Sequence, residues 1–131
     1  MNTFESKITI AAPVEKVYGF LADFNNHQKL VPEEMMDWKS TVDTASFRIQ
    51  NMGKLSLAIK TRNENSEINI VAVEKPPFDI NLKWELAEKD GSTEVKFTIS
   101  ADLNMMLKLV ASGPLQKLAN HETKSLALNI S

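Results

Sequence analysis

Glu122 is the residue best placed in this sequence to do chemistry. It falls inside an apolar stripe of Leu115, Leu118, Ala119 and Leu126 at helical spacing. A carboxylate on a buried face is costly unless it is paired or protonated. Such a group can anchor the polar end of a ligand or act as an acid or base. In the alternative reading the stripe widens toward the helix end and Glu122 reaches solvent. Arg48, Ser6 and Ser40 are the groups considered able to offset its burial, although Arg48 alternates away from Phe47 and Ile49 and is expected outside.

Other chemistry is thinly represented. His27 and His121 are the only histidines and cysteine is absent, so the about three or four ligands of a zinc site are not assembled. His121 reads as a helix-surface residue and His27 as a loop residue. Glu33-Glu34 reads as a solvated loop. There is no glycine-rich phosphate loop and no Gly-x-Ser-x-Gly. No catalytic residue, metal or cofactor is therefore assigned. Met35-Met36 and Met105-Met106 suit core filling or an adaptable pocket. Trp38 and Trp84 lie on apolar strand faces.

The elements that position these residues follow from periodicity. Phe4, Ser6, Ile8 and Ile10 alternate with Glu5, Lys7 and Thr9, which predicts a half-buried strand. Pro13 is expected at the first position of a helix carrying Val14, Val17, Leu21 and Phe24. Asn25-Asn26 breaks it, with one short turn expected over 27–31. Strands are expected over 35–42, with Met36 and Trp38 on one face, then around Phe47, Leu57, Ile70, Leu82-Trp84 and Phe97. Gln50 is taken as an outward strand residue and Lys75-Pro76-Pro77 as a linker. Asp90-Gly91 predicts a hairpin. From Asn104 the period changes, and one helix is expected to about residue 128. Leu103, Met106, Leu107, Val110 and Pro114 share a face in this reading, and Pro114 should bend the helix.

Seven strands, each with one apolar face, need a cover, and the terminal helix can supply it. The expected class is α+β: a seven-stranded antiparallel sheet around a long C-terminal helix, as a single domain over 1–131. The chain has 131 residues, formal net charge −2 and 43% hydrophobic residues, which suits one soluble domain and gives no electrostatic case for a nucleic-acid partner. No secretion signal or membrane-spanning run is read, and a cytoplasmic location is expected. Oligomeric state is not legible.

The strand Ser6-Lys7-Ile8-Thr9-Ile10, followed by Ala12-Pro13-Val14-Glu15-Lys16-Val17-Tyr18, Leu21-Ala22-Asp23, Pro32, Trp38 and the long last helix, resembles the START-like helix-grip superfamily. That superfamily includes the polyketide cyclase/dehydrase and lipid-transfer families and the birch-pollen-allergen relatives. The resemblance covers essentially the whole chain. It implies the order β-α-α-β6-α and a cavity between helix and sheet that often takes hydrophobic ligands. The expected partner is a small hydrophobic or amphipathic molecule, bound without catalysis. The expected lining is Trp38, Phe47, Leu57, Ile70, Leu82, Trp84, Phe97, Met106, Val110, Leu118 and Glu122. A cyclase- or dehydratase-type enzyme using the cavity carboxylate is the first rival. A protein-interaction module is the second, favoured by a filled cavity with an exposed apolar patch.

Overall fold

A computed structural model describes residues 1–49, 53–76 and 78–130; Gln50 and Pro77 lie outside the described residues. The elements run β1 (Asn2–Ile10), α1 (Val14–Leu21), a single short 3-10 helix (Phe24–Lys29), β2 (Met35–Ser40), β3 (Thr44–Ile49), β4 (Gly53–Asn63), β5 (Glu67–Val73), β6 (Ile80–Lys89), β7 (Ser92–Ala101) and α2 (Met105–Ile130). The strands form one antiparallel seven-stranded sheet in the order β1-β7-β6-β5-β4-β3-β2. α2 packs on one face of it, chiefly against β1 and β7. This is the α+β helix-grip architecture expected from the alternation.

The strand registers bury the predicted faces. Trp84, Phe97 and Ile99 are inaccessible to solvent and Leu82 is half-buried, while Lys83 and Lys96 retain partial exposure. At roughly 25 cal/mol per Å² of apolar surface, this one-sided burial stabilises the sheet strongly. The β6–β7 turn is as predicted: Asp90 (φ 53°) and Gly91 (φ 82°) occupy the two left-handed positions of a tight hairpin. Pro13 sits one position earlier than expected, as the extended N-terminal cap of α1, and its carbonyl accepts from the amides of Lys16 and Val17.

Three local expectations are corrected. Met36 and Trp38 do not share a face. A bulge between Met36 and Lys39, with Asp37 at φ 56°, inserts an extra residue and reverses the alternation. Met35 and Trp38 therefore pack on the core and Met36 is exposed. His27 is not a surface loop residue. It is buried in the 3-10 helix, where Phe24, His27 and Leu30 recur every three residues on the inward side. The face proposed for the start of α2 is also wrong. The inward ridge is Leu107, Ala111, Leu115 and Ala119, at four-residue spacing. Met106 and Val110 lie off that ridge and are 77% and 63% exposed.

α2 is helical without interruption through Pro114, with Asn104 Oδ1 accepting from the Leu107 amide at its start. Gly113 and Pro114 are exposed, and a Cβ added at Gly113 meets nothing within 4 Å. Replacing both by alanine is expected to raise stability by about 1–3 kcal/mol, through helix propensity and one restored hydrogen bond. Urea unfolding monitored by circular dichroism checks this; a loss of fold would mean that the proline geometry is required by packing.

Candidate functional site

The inner face of the sheet, covered by α2, α1 and the 3-10 helix, holds the groups of interest. Cross-strand pairing sets Ser6, Phe97, Trp84 and Ile68 in one row across the inner face. Trp84 stacks on Phe97 with ring centroids 4.0 Å apart, and the His27 ring meets the indole edge-on at 6.3 Å. At the β1 end, Ser6 Oγ lies 2.7 Å from Thr123 Oγ1. Thr123 donates its own proton to the Asn120 carbonyl, so Ser6 is the donor in that pair. This contact seats Thr123, and with it the buried turn of α2 that carries Glu122, at the β1 end of the row.

Glu122 is 5% exposed, as the stripe predicted. No hydrogen bond or ion pair joins its carboxyl group to another described residue, and burial pushes its pKa up to about 8. None of the groups considered as offsets reaches it. Ser6 is committed to Thr123, Ser40 accepts from Trp38 Nε1 and donates to Asn25 Oδ1, and Arg48 is exposed. Among the described residues no lysine or arginine is buried. At neutral pH Glu122 is therefore a neutral carboxylic acid, able to donate a proton in a hydrogen bond.

Trp84 Nε1 is the second unspent donor. It is the one fully buried side-chain polar atom among the described residues without a hydrogen-bond partner. His27, by contrast, is satisfied: its Nε2 lies 2.8 Å from the Leu21 carbonyl, which assigns the proton to that nitrogen. Burial lowers its pKa to about 4, against weaker raising effects of that hydrogen bond and of Asp23. It is neutral in the physiological range.

Of the other predicted lining residues, Phe47, Leu57, Ile70 and Phe97 are buried in the core, and Trp38, Leu82 and Leu118 are half-buried against it. Trp38 stacks on Phe47 at 5.3 Å. Met106 and Val110 stand apart in solvent. Two depressions among the described residues lie away from the centre of the layer between α2 and the sheet. One, of about 560 Å³, sits between the β5–β6 connection and the start of α2, lined by Glu74, Phe78, Asp102 and Leu107 among others. The other, about 340 Å³, is on the outer sheet face near Lys60, Asn69 and Lys83. No group of three or more His, Cys, Asp or Glu side chains among the described residues could hold a metal ion.

Sequence reasoning missed Arg62. Its guanidinium donates to the carbonyls of Ala22 and Val42 and pairs with Asp43 at 2.9 Å, tying α1 and the β2–β3 turn to β4. A charged residue in an otherwise polar strand end carries no periodic signal of such a role. His27 did carry one, in the three-residue spacing of Phe24, His27 and Leu30.

A seven-stranded antiparallel sheet wrapped around a long terminal helix defines a START-like helix-grip protein. The chain belongs to the polyketide cyclase/dehydrase and lipid transport family, whose model matches residues 1–127. Solved structures agree on the fold. The protein XoxI from Bacillus cereus superposes with a TM-score of 0.78 at 12% identity, covering 99% of this chain and 96% of that one. A START superfamily protein from Mycobacterium smegmatis gives 0.70 at 16% identity, with 98% and 96% covered. The Aha1 dimer from Colwellia psychrerythraea gives 0.62 at 20% identity, with 91% and 92% covered. No curated protein matches. No helix among the described residues is long and apolar enough to cross a membrane.

Proposed function

We propose that this protein binds a small hydrophobic or amphipathic molecule between the sheet and α2, without catalysing its conversion. The observation that carries this reading is the pair of buried polar groups without a partner among the described residues, Trp84 Nε1 and the Glu122 carboxyl, in a mainly apolar interior. Natural cores seldom retain such groups without a partner. A ligand with a polar end would supply one, while its apolar body gains from leaving water. Trp38, Phe47, Leu57, Ile70, Leu82, Phe97 and Leu118 would contact that body, with Met106 and Val110 at the exposed start of the helix. The family's description, which includes lipid transport, supports the same reading. Entry requires the first half of α2 to move. That half is the less firmly seated: Met105, Met106, Leu109 and Val110 are exposed, and the buried ridge begins at Ala111.

Native mass spectrometry of protein purified from its own host tests the proposal. A retained small molecule is expected, released on unfolding. A ligand-free mass, together with failure of a fluorescent hydrophobic probe to bind the emptied protein, would overturn it.

A second reading rests on the same exposed residues. Met105 and Leu109 are 83% and 84% exposed, apolar surface of the kind expected of a protein-interaction module. Concentration-dependent self-association, lost in a Met105→Lys/Leu109→Lys variant that still binds the probe, would favour it.

A further inference from the structure

The chemistry of the unspent groups narrows the ligand. Resting on the binding reading above, we infer that the ligand's polar end is an uncharged hydrogen-bond acceptor, such as an ester, ketone or amide carbonyl, and not an ionised head group.

The inventory of donors and acceptors in the layer carries this. Trp84 Nε1 can only donate, and it is sealed among stacked rings with nothing to donate to. Glu122 has no partner among the described residues. Its environment favours the protonated form, which also donates. The neighbouring donors are already spent: Ser6 on Thr123, Thr123 on Asn120, and His27 on Leu21. Trp84 Nε1 therefore asks for an acceptor, and a protonated Glu122 can donate to one as well.

Charge decides what kind of acceptor. An anionic head group such as a carboxylate would enter a layer with no buried lysine or arginine and would sit beside Glu122, so its lost hydration would go uncompensated. An ammonium head group could pair with ionised Glu122, but that buries two charges and leaves the indole N–H unsatisfied. A neutral carbonyl oxygen can accept from either donor at no ionic cost. Its remaining chain matches the surrounding Phe97, Ile68 and Leu126.

Three probes with one chain and different heads separate the possibilities: methyl dodecanoate, dodecanoate and dodecylamine, titrated at about pH 6, where Glu122 holds its proton. The ester is expected to bind at least about tenfold more tightly than either ion. Trp84→Phe removes one donor and Glu122→Leu the other. Each should reduce the ester's advantage over an unsubstituted alkane of the same length, and the two together should abolish it. Glu122→Gln, which still donates, should keep the preference. Should the double variant not fold, the Trp84→Phe and Glu122→Gln pair still discriminates. Equal or tighter binding of dodecanoate or dodecylamine overturns this inference and leaves the binding reading standing. Failure of all three probes and of the alkane overturns both.

Discussion

Stability should fall as pH rises from about 6.5 to 8, and Glu122→Gln should remove that fall. Glu122 has its pKa raised by burial from 4.5 to about 8. In that interval the folded chain holds a proton that the unfolded chain has released, so its contribution is complete below pH 4.5 and is lost as pH rises through 8. His27 acts in the opposite sense, with its pKa lowered from 6.5 to about 4. Its contribution is present above 6.5 and is lost as pH falls through 4. The two slopes oppose each other between about 4.5 and 6.5, which leaves a plateau. Above 6.5 the Glu122 contribution is no longer opposed by that of His27. Over about 1.5 pH units, at about 1.4 kcal/mol each, the loss is on the order of 2 kcal/mol. Urea unfolding across pH 4 to 9 measures it. Glu122→Leu should also be flat above 6.5, and more stable than the parent at pH 8, because an apolar side chain replaces a buried carboxyl. A parent profile that stays level from 6.5 to 8 would place the carboxyl in water.

Trp84→Ala should be among the most damaging single changes, costing about 3–5 kcal/mol. The indole is fully buried, stacks on Phe97 and meets His27 edge-on, so its removal leaves a cavity at the centre of the inner row. Trp84→Phe should behave differently. It keeps an aromatic ring against Phe97 and deletes the N–H that has no acceptor, whose burial costs about 1–3 kcal/mol. The small void left by the shorter ring offsets that gain, so the net change should lie within about 1 kcal/mol of zero. Chemical denaturation of the two variants side by side settles the comparison. A phenylalanine variant as unstable as the alanine one would show that the indole N–H is bonded in solution.

The proposed binding carries a stability test of its own, because Glu122 and Trp84 Nε1 are the groups a ligand carbonyl would satisfy. A bound carbonyl should raise the unfolding temperature of the parent more than that of Trp84→Phe or Glu122→Leu, since binding to the folded state alone adds stability by mass action.

The sequence by itself determined the order of elements and the inward face of most strands, and it placed Glu122 within an apolar stripe whose burial the fold then decided. Alternation in Ile80, Leu82, Trp84 and Leu86 reports which side of a strand is apolar, and the spacing of Leu115, Ala119 and Leu126 does the same for a helix. Asp90-Gly91 was legible because its left-handed backbone is a local requirement. Tertiary structure decided the rest. The bulge at Asp37 reversed the faces of β2 through its pairing with β3, which no local pattern encodes. Met106 and Val110 lost their place because the helix rolls to seat Ala111 and Ala119, whose small side chains allow close approach to the sheet. Arg62 found Ala22, Val42 and Asp43 only once three distant segments met. That Glu122 and Trp84 Nε1 lack partners also depends on every neighbour's commitments. Periodicity records the geometry of one segment, whereas an unspent hydrogen bond is a property of the packed whole.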